Sequence, residues 1–258
     1  MRKVLTVAGS DCSGGAGIQA DIKTITVHKM YAMSVLTAVT AQNTMGVTDV
    51  AQMSPAFVGK QLDAVFCDIF PDSIKTGMVS SCEIVEIIAQ KFKQYNGENI
   101  VVDPVMISTS GHRLISENAI ETMAKKLIPL ARVVTPNIAE AEVLSGIKIS
   151  GREDMIKSAE IIADKTGVSV LVKGGHLDGD DLLYEKGEIS WFFGKKINNP
   201  NTHGTGCTLS SAVACNLAKG QSLKMSVKNA KDYLTGAIQA NLNIGKGRGP
   251  LMHNYILK

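Results

Sequence analysis

The hydrophobic residues of this chain fall into short apolar runs that alternate with longer stretches of helical periodicity. Runs rich in Val and Ile predict buried strands, and apolar positions spaced three and four apart predict amphipathic helices. Strands are predicted at residues 3–8, 34–41, 74–77, 100–103, 132–136 and 168–173, with a hairpin at 182–185 and 189–193. Helices are predicted at residues 15–28, 55–68, 82–95, 117–130, after Asn137, from 150 to 165, after Cys207, and at 224–242.

Polar residues mark the starts of several predicted helices. Ser54 precedes Pro55, which puts a serine cap before a proline at the first helical position. Ser150 and Glu153 have the spacing of a capping box. The repeated alternation of strand and helix predicts one α/β domain over residues 1–258, in three α-β-α layers with a mainly parallel central sheet.

Composition narrows the class of protein. Hydrophobic residues at 45% and charged residues at 20% are typical of a soluble globular protein. A net charge of +3 without a dense Lys/Arg block argues against a nucleic-acid partner. The first apolar run stops at Gly9, too soon for a signal peptide or a membrane span. The 5 cysteines form no C-x-x-C pair, so we expect reduced thiols in a cytoplasmic protein without a membrane partner.

Residues 201–209, NTHGTGCTL, predict an anion-binding site. A glycine-rich turn leads directly into a helix, whose first backbone N–H groups have no internal partner and lie at the positive end of its dipole. Gly204 and Gly206 leave the approach to those amides open. The segment from Gly204 through Thr205 and Gly206 to Cys207 therefore predicts a phosphate cradle with a thiol at its edge. The alternative is an ordinary turn before a packed helix.

Two nucleotide-binding signatures can be weighed against this prediction. The chain has no G-x-x-x-x-G-K-[ST] segment, which excludes a P-loop by signature. Gly15-x-Gly17-x-x-Ala20 follows a strand and opens a helix, as the dinucleotide fingerprint does. That fingerprint requires an acidic residue at the end of the next strand, where this chain has Gln42. A dehydrogenase is therefore a weak interpretation.

Seven segments in order carry a family resemblance that covers nearly the whole chain. They are residues 8–21 (AGSDCSGGAGIQAD), 40–44 (TAQNT), 75–78 (KTGM), 102–106 (VDPVM), 135–140 (TPNIAE), 172–176 (VKGGH) and 203–208 (HGTGCT). Together they resemble the hydroxymethylpyrimidine/phosphomethylpyrimidine kinases of thiamine biosynthesis, a branch of the ribokinase-like superfamily. The resemblance implies a ribokinase-like fold, a homodimer, and ATP- and Mg²⁺-dependent phosphorylation of 4-amino-5-hydroxymethyl-2-methylpyrimidine and then of its monophosphate.

The resemblance also implies roles for the phosphate-binding residues. Cys207 occupies the position at which sugar kinases of the superfamily have an aspartate base, and a helix N-terminus favours a thiolate. Asn137 and Glu140 match an N-x-x-E motif that helps to hold magnesium, with Asp103 nearby. A capping box is the simpler interpretation of the N-x-x-E pair. Lys173 would reach an ATP phosphate. A nucleotide contact is likewise implied for the lysine of the last helix, Lys231.

Gln42 carries the expectation of substrate specificity. One carboxamide can pair with the ring nitrogen and the amino group of an aminopyrimidine, a bidentate contact of about 1–3 kcal/mol. Gly9, Met78 and Val105 would supply close apolar walls for the ring. Asp21 is expected to flank the mouth of the same site.

Other segments suggest structure more than chemistry. His176 and His203 have no partner at metal-ligand spacing and are interpreted as loop structure. Ser110 and Gly111 suggest a flap over the substrate, and residues 245–249 suggest only a tail.

Two further functional hypotheses stay open. A pyridoxal or pyridoxamine kinase would use a very similar frame, although such relatives tend to depart from the QNT segment. A non-catalytic nucleotide- or phosphate-binding regulator would have no need of Cys207, the Asn137/Glu140 pair and Lys173 together.

Overall fold

The computed structural model describes residues 1–106, 115–175, 179–194 and 197–257, and its framework is a nine-stranded sheet. In sequence order the strands are β1 (Lys3–Asp11), β2 (Tyr31–Asn43), β3 (Gly46–Gln52), β4 (Ser73–Thr76), β5 (Ile100–Val102), β6 (Val133–Val134), β7 (Ser169–Val172), β8 (Asp181–Glu185) and β9 (Glu188–Phe192). Across the sheet they lie in the order β3-β2-β1-β4-β5-β6-β7-β8-β9.

The centre of the sheet is parallel and both of its edges are antiparallel. Strands β2, β1, β4, β5, β6 and β7 pair in parallel, with Leu5 opposite Ile74 and Val101 opposite Val133. At one edge β3 folds back antiparallel on β2, and at the other β8 and β9 form a hairpin beside β7. The carboxyl ends of the parallel strands therefore meet at one side of the sheet, where ligands bind in such folds.

Helices cover both faces of this sheet. They are α1 (Gly17–Val27), α2 (Pro55–Phe66), α3 (Cys82–Gln94), α4 (Glu117–Thr122), α5 (Ile138–Ser145), α6 (Arg152–Thr166), α7 (Thr205–Ala218) and α8 (Leu223–Gln239). Successive side chains of a strand point to opposite faces, so Val4 packs with α1, α7 and α8 while Leu5 and Val7 pack with α2 to α6. The predicted three-layer α/β architecture is confirmed.

The predicted capping box between Ser150 and Glu153 is wrong. Helix α6 begins at Arg152, after Gly151, which has no side-chain cap. Ser150 lies one position too early for a cap, and its hydroxyl donates to Asp154 Oδ2 at 2.6 Å. The acidic first turn of α6 still suits the positive end of the helix dipole.

The segment predicted as one helix over residues 117–130 is not a single regular α-helix in the structure. Helix α4 ends at Thr122 and continues as a π-helical turn, Met123–Leu127, and then as a 3-10 turn, Ile128–Leu130. Pro129 lacks an N–H group, so a regular α-helical ladder cannot continue through it.

Residues 245–250 form what we call the C-terminal strap, and the prediction of a mere tail is wrong. The Gly247 amide donates to Thr44 Oγ1, and the Gly249 amide donates to Asn201 Oδ1, each at 3.1 Å. A Cβ atom on Gly247 would lie 2.1 Å from the Thr44 carbonyl oxygen. The strap therefore crosses the turn between β2 and β3 at a separation that only glycine allows.

Candidate active site

Helix α7 follows a glycine turn, as predicted, but it begins at Thr205 and so already includes Cys207. Gly204 precedes the helix with a φ of +83°, and a Cβ atom there would lie 2.0 Å from the Gly15 carbonyl oxygen. Both observations require glycine. The Thr205 amide donates to the Thr202 carbonyl at 3.3 Å, within the loop. The amides that follow it belong to the first helical turn, which presents N–H groups to an anion.

Gly206 lies against two charged residues from the centre of the sheet. A Cβ atom on Gly206 would be 3.5 Å from both Asp103 Oδ2 and Lys173 Nζ. Lys173 Nζ donates to Asp103 Oδ1 at 2.8 Å, and its side chain retains 15% exposure. Three residues that are far apart in the sequence thus meet where the helix begins, as their positions after the strands predict.

This pair stays charged in spite of its burial. Burial disfavours the ionised Asp103 carboxyl, but the positive charges of Lys173 and Lys75 outweigh it and lower the pKa of Asp103. Burial likewise opposes a charged Lys173, but Asp103 and Glu140 raise the pKa of its ammonium. The site therefore holds a fixed positive group, Lys173 Nζ, beside the start of α7.

Asn137 and Glu140 form the capping box that was the simpler alternative. The Glu140 amide donates to Asn137 Oδ1 at 2.9 Å, and the Asn137 amide donates to Glu140 Oε2 at 2.8 Å. The Glu140 carboxyl is buried 4.0 Å from Lys173 Nζ. Burial raises the pKa of Glu140 to about 7.

The side chains near the start of α7 can be compared with the ligands that magnesium usually has in proteins. Within the described ranges no group of three His, Cys, Asp or Glu side chains could hold a metal ion. Magnesium is usually held by one or two carboxylates together with phosphate oxygens and water. The buried carboxylates of Asp103 and Glu140 beside the anion site fit that arrangement, and they do not form a cage made of protein ligands alone.

The thiol of Cys207 lies half-buried in the first turn of α7. Burial raises its pKa to about 11; Lys75 opposes the rise, and the carboxylates of Asp21 and Asp103 add to it. The prediction that the helix N-terminus favours the thiolate is therefore wrong for the free chain. Desolvation and the carboxylates of Asp21 and Asp103 outweigh the opposing positive charge of Lys75.

The prediction that Asp21 flanks the substrate mouth is also wrong. The Asp21 side chain has 0% exposure and forms an ion pair of 2.8 Å with Lys75, which is equally buried. Thr6 and Ser211 also donate to its carboxylate, at 2.6 and 2.7 Å. Both members of this ion pair act on Cys207: Lys75 lowers the pKa of the thiol and Asp21 raises it. Because all four residues of β4 are buried, Lys75 needs such a partner inside the protein.

Gln42, the residue expected to recognise the substrate ring, is half-buried in β2 one residue before the strand ends. Its carboxamide contacts Thr40 Oγ1 at 3.0 Å and His203 Nε2 at 3.3 Å. His203 is buried, and its Nε2 lies 2.8 Å from Asp11 Oδ2. His203 is therefore more than loop structure, and only the fold reveals its contact with Gln42.

The expected apolar walls lie near the strand ends. A Cβ atom on Gly9 would be 3.1 Å from Met78 Sδ, so the two residues are adjacent. Met78 and Val105 are half-buried, and Val105 closes a tight turn after β5 through its amide hydrogen bond to the Asp103 carbonyl. The flap suggested at residues 110–111 and the loop histidine at 176 lie outside the described residues.

Lys231 already has partners in the protein. Its ammonium donates to Asp181 Oδ2 at 2.7 Å and to the Gly179 carbonyl at 2.8 Å. These bonds tie α8 to the loop before β8. A nucleotide phosphate would have to compete with these acceptors for Lys231.

The mainly parallel sheet, with a glycine turn and the Asp103–Lys173 pair at its strand ends, and the family match together identify the chain as a phosphotransferase. The chain belongs to the phosphomethylpyrimidine kinase family, whose family model matches residues 11–252. In the described part of the chain no helix is both long and apolar enough to cross a bilayer.

Characterised relatives are similar over nearly the whole chain. A hydroxymethylpyrimidine/phosphomethylpyrimidine kinase of Rhizobium meliloti is 48% identical over 96% of each chain. The thiamine biosynthesis bifunctional protein of Geobacter sulfurreducens is 48% identical over 97% of this chain. The chain spans about half, 52%, of the length of that bifunctional relative.

Solved structures of other proteins share the fold of this chain. A phosphomethylpyrimidine kinase of Clostridium difficile matches with a TM-score of 0.83 and 47% identity, over 92% of this chain and 100% of the other. The ADP complex of a Bacillus subtilis pyridoxal kinase matches with a TM-score of 0.92 and 35% identity over 100% of both chains. The frame is thus shared by structures described as a phosphomethylpyrimidine kinase and as a pyridoxal kinase.

Proposed function

We propose that this chain transfers a phosphoryl group from ATP to 4-amino-5-hydroxymethyl-2-methylpyrimidine and then phosphorylates the monophosphate to the diphosphate. The observation that carries the proposal is the meeting of Gly206 with the Asp103–Lys173 pair at the start of α7. Phosphoryl transfer needs positive groups and open amides around the moving phosphoryl group, together with an in-line approach. The names of the relatives support the choice of substrate.

Each atom of the reaction has a candidate partner in the site. The substrate hydroxyl oxygen forms a bond to the terminal phosphorus of ATP as the bond to the ADP oxygen breaks. Amides of Gly206 and Cys207 and the Lys173 ammonium stabilise the charge on the transferring oxygens. Asn137 and Lys231 are proposed to contact the nucleotide.

Magnesium is proposed to bind beside Asp103 and Glu140. When bound, it would neutralise charge on the phosphate oxygens of ATP. The half-protonated Glu140, with a pKa of about 7, would lose its proton when the cation binds. We therefore expect magnesium affinity to rise with pH up to about neutrality.

Cys207 is proposed to accept the proton of the substrate hydroxyl. With a pKa of about 11 the thiol is almost wholly protonated near neutral pH in the free chain. A base role therefore requires that turnover increases with pH as the thiolate fraction grows.

Gln42 is proposed to recognise the aminopyrimidine edge, with Gly9, Met78 and Val105 enclosing the ring. Because a ring nitrogen accepts and the neighbouring amino group donates, one carboxamide satisfies both. The half-buried position of Gln42 near the strand ends supports this role.

A parallel ATP-consumption assay with the aminopyrimidine alcohol, its monophosphate and pyridoxal tests the proposal. We expect both pyrimidines to be phosphorylated and pyridoxal to be a poorer substrate. The likeness to a pyridoxal kinase at a TM-score of 0.92 makes pyridoxal the second candidate. Faster turnover of pyridoxal would overturn the order of preference, and no turnover of any of the three would favour the regulator hypothesis.

Three broader expectations remain predictions. We propose one kinase domain over residues 1–258, supported by the single sheet that runs from β1 to β9. The homodimer implied by the family resemblance is tested by sedimentation. A cytoplasmic location is tested by cell fractionation.

A further inference from the structure

Two contacts inside the protein determine whether the oxygen or the NH₂ group of the Gln42 carboxamide faces Thr40, and which of them faces His203. Thr40 Oγ1 lies 2.9 Å from the Ser10 carbonyl oxygen and 3.0 Å from one end of the carboxamide. A hydroxyl has one proton, and a carbonyl oxygen can only accept. The structure places Gln42 Oε1 towards Thr40 and Nε2 towards His203, but if the Thr40 proton goes to the Ser10 carbonyl, that arrangement sets two acceptor oxygens face to face. The carboxamide end that faces Thr40 must be the NH₂ group.

The other end of the carboxamide faces His203 Nε2, 3.3 Å away. That nitrogen lies 2.8 Å from Asp11 Oδ2, which also accepts from the amides of Gly15 and Ala16. Although burial favours the neutral acid, hydrogen bonds, above all that from His203, lower the pKa of Asp11 to about 2. An ionised carboxylate only accepts, so His203 Nε2 carries a proton. That proton is donated to Asp11, and a protonated ring nitrogen has no lone pair with which to accept from an NH₂ group, so the carboxamide end that faces His203 must be the oxygen.

The two contacts independently give the same orientation. At ordinary precision the oxygen and nitrogen of a carboxamide are distinguished by their hydrogen-bond partners. With its NH₂ group on Thr40 and its oxygen towards His203, Gln42 keeps one proton and one lone pair for a ligand. A carboxamide rotated by half a turn would place its donor where the amino group of an aminopyrimidine also donates.

We propose that His203 is a specificity-determining positioning residue, which fixes the Gln42 carboxamide in the orientation that reads an aminopyrimidine edge. This inference rests on the proposed function and goes beyond it, because His203 acts through Gln42 and does not itself contact the ring. Thr40 is the second anchor of the same orientation.

His203 is held firmly enough to act as a fixed donor. A Cβ atom on Gly15 would lie 2.3 Å from His203 Cδ2, so the turn before α1 packs directly on the imidazole. The His203 amide donates to the Gly249 carbonyl at 3.1 Å, which joins the residue to the C-terminal strap. The imidazole is thus fixed by the loop after β1 and by the strap.

The test compares His203→Phe, which keeps a ring but has no proton to donate, with His203→Gln, which keeps an N–H donor. We expect His203→Phe to raise the KM for the aminopyrimidine alcohol about tenfold with little change in the KM for ATP or in pyridoxal binding. His203→Gln should recover most of this loss. His253→Phe is the matched control, since His253 is also buried but pairs with Thr208 at 2.9 Å.

A double-mutant cycle separates positioning from stability. In a Gln42→Leu background, His203→Phe should cause no further rise in the KM for the alcohol, because the group it orients is gone. Additive effects would overturn the proposal, as would a His203→Phe variant that weakens all ligands equally.

Thr40→Val removes the second contact that orients Gln42. It provides an alternative test of the proposal if His203→Phe does not fold. It should raise the KM for the alcohol selectively, and an unchanged preference for the alcohol over pyridoxal would overturn the proposal. Absence of turnover in the wild-type chain would overturn the proposed function. Turnover with unchanged preference in both His203 variants would overturn only the orienting role.

Discussion

The proposed phosphate-binding side of the site (the phosphate side) and its proposed ring-binding side (the ring side) are built from different kinds of contact. On the phosphate side, Asp103 and Lys173 directly follow strands, and Gly206 lies in the first turn of α7, so the backbone itself positions the chemistry. On the ring side, Gln42 is positioned by side chains, among them His203, whose own partner Asp11 is 192 residues away. The phosphate side is thus fixed by the fold, whereas the ring side depends on a network of polar side chains that can be exchanged.

The solved relatives fit this contrast. A structure described as a pyridoxal kinase shares the frame at a TM-score of 0.92, although its name points to a different ring. We therefore expect substitutions on the phosphate side to remove turnover, and substitutions on the ring side to change which ring is used.

Gly206→Val should have the largest effect. Since a Cβ atom there already reaches van der Waals contact with Asp103 and Lys173, the valine methyl groups would occupy the space where a phosphoryl group must approach. We expect kcat/KM to fall by about a thousandfold or more for every substrate, with the fold intact by circular dichroism. Gly151→Val is the control, because no atom lies within 4 Å of a Cβ there. Retained turnover in Gly206→Val would contradict the assigned cradle.

Cys207→Ser should have the next largest effect and should change the pH profile. Because the thiol pKa is about 11, the thiolate fraction grows about tenfold per pH unit below that value. Above the pKa of Glu140, about 7, wild-type kcat/KM should therefore keep rising with pH, whereas the serine variant should be about a hundredfold slower and flatter. If Cys207→Ser kept the wild-type kcat from about pH 6 to about pH 9, the base assignment would be wrong.

Gln42→Leu should weaken recognition of the substrate ring and leave ATP binding unchanged. Loss of a bidentate contact of about 1–3 kcal/mol predicts a fall of about ten- to a hundredfold in kcat/KM for the aminopyrimidine alcohol. Steady-state kinetics with each substrate varied in turn should leave the KM for ATP unchanged. Equal damage to both substrates would show that Gln42 has a structural role, and the contrast between the two sides would fail.

Gly247→Ala should have the smallest effect. The added methyl group would meet the Thr44 carbonyl oxygen, so the C-terminal strap must move away from the β2–β3 turn. We expect a loss of about 1 kcal/mol in the free energy of unfolding and a rise of a few-fold in the KM for the alcohol, with kcat unchanged. Denaturant melts and initial rates measure these, with Gly151→Ala as control. A lowered kcat would mean that the strap also supports the phosphate side.

Much of the fold follows from the sequence because the central strands are apolar on both faces. Val101 and Val102 are both fully buried, so a continuous apolar run marks such a strand without ambiguity. Strand β3 gives no such signal, since the adjacent and exposed Thr48 and Asp49 interrupt its few apolar positions at the edge of the sheet. Its pairing with β2 depends on a hairpin that only tertiary structure reveals.

The candidate site likewise has features that the sequence predicts and features that it does not predict. The sequence predicts the meeting of Asp103, Lys173 and Gly206, since each adjoins the end of a strand or the start of a helix. It does not predict the burial of Asp21, whose partner Lys75 is 54 residues away. Burial and distant charges also determine the pKa of a thiol. No local sequence pattern records the burial of a thiol or the charges of residues that are distant in the sequence.

The turn that begins α7 combines both sides of the site within a few residues. The His203 amide donates to the Gly249 carbonyl, and Gly204 packs against the Gly15 carbonyl. Both residues of the turn are therefore held in place by backbone contacts. Only two residues separate His203 from Gly206. An inserted or deleted residue between them would misplace ring recognition and phosphate binding together. Diversification of this enzyme for new alcohols should therefore proceed by exchange of side chains at constant loop length.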